Sequence, residues 1–101
     1  MDQDVAPFEV KNNREAGRFE VQLGDEISFI AYHLQSPNEY VLVHTEVPVS
    51  QRGKGVAGRL VQDVLEMIKT EGSKLALVCP FVTAYIKRHP EYQPLVVPLR
   101  V

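Results

Sequence analysis

A histidine and a glutamate, His44 and Glu46, lie two residues apart in an apolar segment of this 101-residue chain. Alternate residues of a β-strand point to the same face of its sheet, so both side chains are expected on one face. Either group could take a proton from a reacting molecule, directly or through water, which makes the pair a candidate general base. A polar strand face with no role in catalysis would show the same pattern.

The single cysteine, Cys79, lies where a predicted strand ends and a predicted helix begins. The N-terminal end of a helix favours a thiolate, so Cys79 is a candidate nucleophile or a candidate proton donor. The competing interpretation is a small buried residue that only packs. One cysteine forbids an internal disulfide and supplies no metal cluster, and it favours a reducing, cytoplasmic compartment.

The segment SQRGKGVAGRL, residues 50–60, could form a backbone cradle for a phosphate. Its glycines let the backbone approach an anion closely, and the amides at the start of a helix favour negative charge. Gly53, Gly55 and Gly58 also match the dinucleotide fingerprint G-x-G-x-x-G, but the next strand ends in Cys-Pro instead of an acidic residue. A flexible turn with solvated cations is the alternative interpretation.

The elements that position these residues begin with three antiparallel strands. Alternation of polar and apolar residues, with turn residues between, predicts strands at 18–23, 26–34 and 40–47. A turn at 12–17 and a Pro-containing edge strand at 5–10 are predicted to precede them.

Helical spacing of apolar residues then predicts a long helix from Gly55 to Gly72. A strand at 75–78, a helix at 81–88 and a short strand at 95–97 are predicted to follow. A strand, a helix and a strand in this order imply a parallel pair with a right-handed crossover. We therefore predict an α/β (α+β) fold with a mixed sheet, in one domain that spans residues 1–101.

Composition excludes several classes of protein. The net charge of −2 provides no general attraction for nucleic acid, and no apolar run is long enough for a helix that spans a membrane. We expect neither nucleic acid nor a membrane as a partner.

The segment from Arg52 to Ala57, together with the blocks at 44–48 and 79–92, resembles the GNAT superfamily of N-acetyltransferases in its small, single-domain Yjdj-type branch. The resemblance covers roughly residues 18–95. It implies a GNAT-like acyl-CoA acyltransferase fold whose pantetheine arm lies between two splayed parallel strands. The helices that form the acceptor-side wall in larger members are missing, which leaves that side open or completed by a partner or a second copy.

The resemblance also implies roles for individual residues. Tyr85 aligns with the tyrosine that often protonates the leaving thiolate, although it could equally be a packing residue. Together with Cys79, His44 and Glu46 it forms the predicted catalytic set. The expected acetyl-CoA site consists of Val47, Val49, Gln51, Arg52, Gly53, Lys54, Gly55, Val56 and Ala57.

We therefore expect an acetyl-CoA-dependent N-acetyltransferase in which an amine attacks directly within a ternary complex. A route through an acylated Cys79 is the second mechanism. The alternatives are a sensor or adaptor that binds coenzyme A with little transferase activity, and an interaction module that binds no cofactor. The sequence does not identify the acceptor amine.

Overall fold

The computed structural model describes residues 8–100 and contains a five-stranded mixed sheet with strand order β1-β2-β3-β4-β5. The strands are β1 (Val10–Asn13), β2 (Arg18–Leu23), β3 (Glu26–Ser36), β4 (Glu39–Glu46) and β5 (Lys74–Leu77). The helices are α1 (Val56–Glu71) and α2 (Pro80–Arg88), and short 3₁₀ turns occupy Val49–Gln51 and Pro90–Leu95. No helix in residues 8–100 is long and apolar enough to cross a membrane.

The sheet combines an antiparallel meander with one parallel pair, as predicted. Strands β1 to β4 pair antiparallel with their neighbours, and β5 joins β4 in parallel after α1. Sixteen residues of α1 provide the long crossover that a parallel pair requires. The predicted mixed sheet with packed helices is therefore confirmed.

Two predicted strand positions are wrong. The first strand lies at Val10–Asn13, so it includes two asparagines that were expected in a turn; residues 5–7 of the predicted strand lie outside the described residues. Asn12 fits the strand because its side chain accepts a hydrogen bond from Tyr32 Oη at 2.5 Å and donates to Tyr40 Oη at 3.2 Å. These two contacts compensate for the low strand propensity of asparagine.

The predicted last strand at 95–97 is reduced to a single bridge between Leu75 and Val96. Pro94 and Pro98 flank this bridge and have no amide N–H to donate to a ladder. The preceding residues form a 3₁₀ turn instead, and Val97 N donates to Leu75 O at 2.8 Å.

Both helices and the sheet contribute to one hydrophobic core. Apolar residues of α1 recur every three or four positions and are buried from Leu60 to Ile68. They pack against Phe19, Tyr32 and Tyr40, whose rings lie 4.9–5.2 Å apart. This packing fixes α1 against the sheet. It therefore also fixes the position of residues 52–55, which precede the helix and which we call the glycine-rich loop.

Candidate functional site

The parallel ladder between β4 and β5 ends before the predicted chemical residues begin. Its last pair is Leu42 with Leu77, and the amides of Val78 and Cys79 both donate to Leu42 O, at 3.1 and 2.9 Å. Beyond this point β4 continues to Glu46, whereas the segment that follows β5 enters α2. Main-chain pairing between these two segments therefore ends at this point.

A β-bulge on the other edge of β4 decides where its last side chains point. Ala31 of β3 pairs with His44, but the next residue, Tyr32, pairs with Leu42, so Val43 is the extra residue. Before the bulge Leu42 faces the helices, whereas after it His44 faces the opposite side of the sheet. The bulge therefore reverses the alternation of the strand between these two residues.

His44 and Glu46 form a pair on the sheet face opposite to the helices. The distance from His44 Nε2 to Glu46 Oε1 is 2.9 Å, and their side chains are 59% and 45% exposed. The Phe29 ring meets His44 edge-on, and Arg52 lies 4.0 Å from the Glu46 carboxylate. The shared face that the sequence predicts for His44 and Glu46 thus corresponds to a direct contact.

Cys79 lies on the other side of β4 from this pair. Its thiol is buried, with the residue 3% exposed, and its Sγ lies 3.2 Å from Thr45 Oγ1. Thr45 sits opposite the fully buried Ile30 on β3 and so faces the core. Sequence reasoning missed Thr45, although its position between His44 and Glu46 already indicates the opposite face.

Tyr85 is buried in α2, and its ring stacks on that of His89 at 4.1 Å. Burial raises the pKa of its hydroxyl, and the negative charges of Glu91 and Asp63 raise it further. Its phenol therefore remains protonated at neutral pH, as a proton donor must.

The glycine-rich loop leaves amides free at the start of α1. Gly53 and Gly55 have φ values of 81° and 76°, a conformation that other L-residues rarely adopt. Gly55 caps α1 without any side-chain hydrogen bond, and no acidic residue lies in the first turn. The first amide of this helix to reach a backbone acceptor is that of Arg59, which donates to Gly55 O at 3.1 Å.

A surface pocket of about 250 Å³ adjoins this loop. Its lining residues are Val47, Gln51, Arg52, Gly53, Gly55, Val56, Ala57, Gly58 and Phe81. Seven of these belong to the predicted cofactor set, whereas the predicted Val49 and Lys54 do not line the pocket. None of the four predicted catalytic residues lines it either.

Sequence reasoning missed Gly58 and Phe81 as lining residues of this pocket. Gly58 could have been found from the sequence, because a glycine in the first turn lowers helix stability. Its presence there indicates a position where a ligand approaches the backbone closely. Phe81 is 38% exposed, and it lines the pocket together with the first residues of α1 because α2 packs against that helix.

The loop geometry suits a diphosphate. An added Cβ at Gly53, Gly55 or Gly58 would meet no heavy atom within 4 Å, so the space outside these residues is open. Arg52 is 61% exposed, and its Nε donates to Val47 O at 3.0 Å, which keeps a cation beside the loop. Open amides, the positive end of the α1 dipole and this cation are the features that bind phosphate groups. Within residues 8–100, no cluster of three or more His, Cys, Asp or Glu is placed to hold a metal ion.

Comparisons with known proteins agree with this geometry. The sequence model of the family described as GCN5-related N-acetyl-transferase matches residues 18–95. Proteins named NATD1 from Gallus gallus and Mus musculus are each 30% identical over 86 residues, which are 83% of this chain and 78% of theirs. Human NATD1 is also 30% identical over 86 residues and is covered to 76%.

The solution structure of a GCN5-like protein from Staphylococcus aureus, proposed to be an N-acetyltransferase, has the same fold. It superimposes with a TM-score of 0.62 at 22% identity, over 92% of this chain and 91% of that one. The family match covers most of the chain and includes the glycine-rich loop, β4, β5 and α2. The chain belongs to the GCN5-related N-acetyltransferase family, as its resemblance to the GNAT superfamily predicts.

Proposed function

We propose that this protein is an N-acetyltransferase that uses acetyl-CoA and transfers the acetyl group to an amine. The observation that carries the proposal is the pocket formed by the left-handed glycines and the N-terminus of α1, beside Val47 just after the end of β4. Bound acetyl-CoA supplies an activated acetyl thioester. The amides of residues 53–57 and the side chain of Arg52 would hold its diphosphate.

The two faces of β4 suggest how the chain divides the chemistry. On the exposed face, His44 and Glu46 act as one unit, in which one group takes the proton of the amine and the other orients it. On the buried side, the Cys79 thiol or the Tyr85 phenol gives a proton to the departing sulfur. A single direct attack requires that the base and the proton donor reach the same thioester from opposite sides of the strand.

The test has two stages. Calorimetric titration with acetyl-CoA measures binding before any acceptor is known, and the Gly55→Val variant should bind at least about tenfold more weakly. Release of free thiol is then followed against a panel of amines. His44→Gln should reduce the rate by roughly 10²-fold, the usual contribution of a general base, without weakening acetyl-CoA binding. Failure of the wild-type protein to bind acetyl-CoA would refute the proposal.

Cys79→Ala separates the two mechanisms. Under direct attack with Tyr85 as the proton donor, this variant keeps most of its rate. If the reaction proceeds through an acylated Cys79, the rate is lost in the variant, and the wild-type protein, unlike the variant, retains an acetyl group after denaturation in the absence of an amine. A lost rate without acetyl retention by the wild type would assign Cys79 the role of proton donor in a direct attack.

A sensor of coenzyme A is the second candidate function. The exposure of the His44 and Glu46 side chains favours it, because a base open to water is poorly placed unless an acceptor or a partner covers it. A sensor would bind acetyl-CoA but release no thiol with any amine. If thiol release instead begins once a second copy or another protein covers the acceptor side, the chain is a transferase and not a sensor. Mixing and cross-linking experiments can detect such a partner.

A further inference from the structure

Arg52 lies between the pocket beside the glycine-rich loop and the His44–Glu46 pair. Its side chain lines the pocket, and its terminal nitrogen Nη2 lies 4.0 Å from Glu46 Oε2. The other oxygen of this carboxylate, Oε1, lies 2.9 Å from His44 Nε2. Glu46 thus turns one oxygen towards the candidate base and the other towards a residue of the candidate cofactor site. The three side chains form a continuous chain from the pocket to the exposed face of the sheet.

The backbone that follows β4 fixes the position of Arg52. The 3₁₀ turn Val49–Gln51 separates Arg52 from the strand, and Ser50 Oγ donates to the Glu26 carboxylate at the start of β3. Arg52 Nε donates to Val47 O at 3.0 Å, which holds the guanidinium beside the end of β4. The position of this cation therefore follows from the turn and from its bond to the backbone, independently of its contact with Glu46.

The contact between Arg52 and Glu46 is weak. Its length of 4.0 Å exceeds the roughly 2.7–2.9 Å of a charge-assisted hydrogen bond, and the two side chains are 61% and 45% exposed to water. A diphosphate carries more negative charge than one carboxylate and offers more acceptor oxygens, so it attracts the guanidinium more strongly. A guanidinium that turns to a diphosphate in the pocket leaves Glu46 with His44 as its neighbour.

We propose that Arg52 couples the acetyl-CoA pocket to the His44–Glu46 pair, because the diphosphate and the Glu46 carboxylate compete for one guanidinium. Binding of the cofactor then transfers Arg52 to the diphosphate and leaves Glu46 free to orient His44 for the amine. Binding couplings are reciprocal, so removal of the Glu46 charge must in turn favour the cofactor. The inference rests on the proposed function and adds an order to it, in which acetyl-CoA binds before the pair reaches its working arrangement.

A double-mutant cycle measures the competition. Calorimetric titration with acetyl-CoA should show that Glu46→Gln tightens binding by about two- to fourfold, and by less than about 1.5-fold when Arg52→Gln is also present. Glu20→Gln is the matched control, because Glu20 lies in the same register on the same face, two strands away, and pairs with Arg18. It removes one negative charge from this face and should change the affinity in neither background.

NMR tests whether the effect reaches the candidate base. The probe is 3′-phosphoadenosine 5′-diphosphate, which contains a diphosphate but no pantetheine arm or thioester that could touch His44. At saturation it should shift the imidazole signals of His44 in the wild type, although His44 does not line the pocket. In Arg52→Gln the same shift should be at least about threefold smaller.

Several results would overturn the coupling. Equal tightening by Glu46→Gln in both backgrounds would assign its effect to direct repulsion of the diphosphate, and unchanged or weaker binding would mean that one guanidinium serves both anions. Unchanged His44 signals in the wild type would show that the effect does not reach the base. Each of these results leaves the proposed function standing as long as the wild type binds acetyl-CoA, whereas failure of the wild type to bind it refutes both.

Discussion

A glycine in the left-handed conformation flanks each end of α1, yet the surroundings of the two ends differ. At the N-terminal end, Gly55 has φ 76° and no side chain caps the helix. At the C-terminal end, Gly72 has φ 78° and donates to Lys69 O, while Ser73 N donates to Ile68 O at 3.0 Å. These two bonds form a Schellman motif, which satisfies the last carbonyls of the helix.

Side chains increase this difference. Glu71 would be unfavourable near the negative end of the helix dipole, but Tyr40 donates to it and Arg14 pairs with it. Within residues 8–100, no comparable partner covers the amides around Gly55, where the space outside the loop is open. One end of the helix is thus stabilised within the protein, and the other leaves its donors available for a ligand. We therefore expect changes at the first end to alter stability and changes at the second to alter binding.

The largest effect should come from a matched pair, Gly55→Val and Gly72→Val. Both positions have positive φ and open space around an added Cβ, so each variant should lose about 1–2 kcal/mol of unfolding free energy. Only Gly55→Val should also weaken acetyl-CoA binding, by at least about tenfold. Chemical denaturation and calorimetry measure the two quantities. Equal loss of binding in both variants would show that the ligand does not contact the N-terminal amides.

Tyr40→Phe tests the C-terminal end alone. It removes the hydroxyl that donates to Glu71 and accepts from Asn12, so it should lower the unfolding free energy by about 1.5 kcal/mol. Acetyl-CoA affinity should remain within error of wild type, as measured on the same samples. A loss of affinity comparable to that of Gly55→Val would mean that the two ends of α1 are coupled.

The stability difference between wild type and Tyr40→Phe should also depend on pH. Burial, and then the neighbouring Glu71, raise the pKa of Tyr40 to about 12 from an ordinary value of 10.0. Its stabilising contribution is therefore fully present below pH 10 and is lost as pH rises towards 12. Between pH 9 and pH 11 the stability difference between wild type and Tyr40→Phe should shrink by about 1 kcal/mol. A difference that stays constant would show that the hydroxyl pKa is not raised.

Gly58→Ala should separate stability from binding by a smaller amount. Alanine is the better helix former, and its Cβ meets nothing within 4 Å, so the unfolding free energy should rise by about 0.5–1 kcal/mol. The same methyl group would enter the pocket beside the loop and weaken acetyl-CoA about threefold. Tighter binding by the stabilised variant would argue against close approach of the ligand at this turn.

The smallest effect is expected for Arg52→Gln. Its side chain is 61% exposed, so a diphosphate contact should contribute only about two- to fivefold in affinity. Calorimetry at low and at high salt should show that this difference narrows as the ionic strength rises. Stability should not change, and Lys54→Gln provides a neighbouring cation outside the pocket lining for comparison.

Much of the fold followed from local patterns. Alternation placed β2 and β3, helical spacing and terminal glycines placed α1, and Pro80 with Pro90 marked the limits of α2. The first and last strands were misplaced because their limits depend on distant partners. Asn12 is held by tyrosines from two other strands, and Val96 pairs with Leu75 in a single bridge.

The site divides in the same way. The sequence by itself determined the glycine-rich loop before a helix and the shared face of His44 and Glu46, because both depend on neighbours within a few residues. Tertiary structure alone decided the bulge at Val43, the contact between Thr45 and Cys79, and the position of Phe81 at the pocket. These features arise from packing between segments that are far apart in the chain, and no local pattern encodes how closely such segments approach.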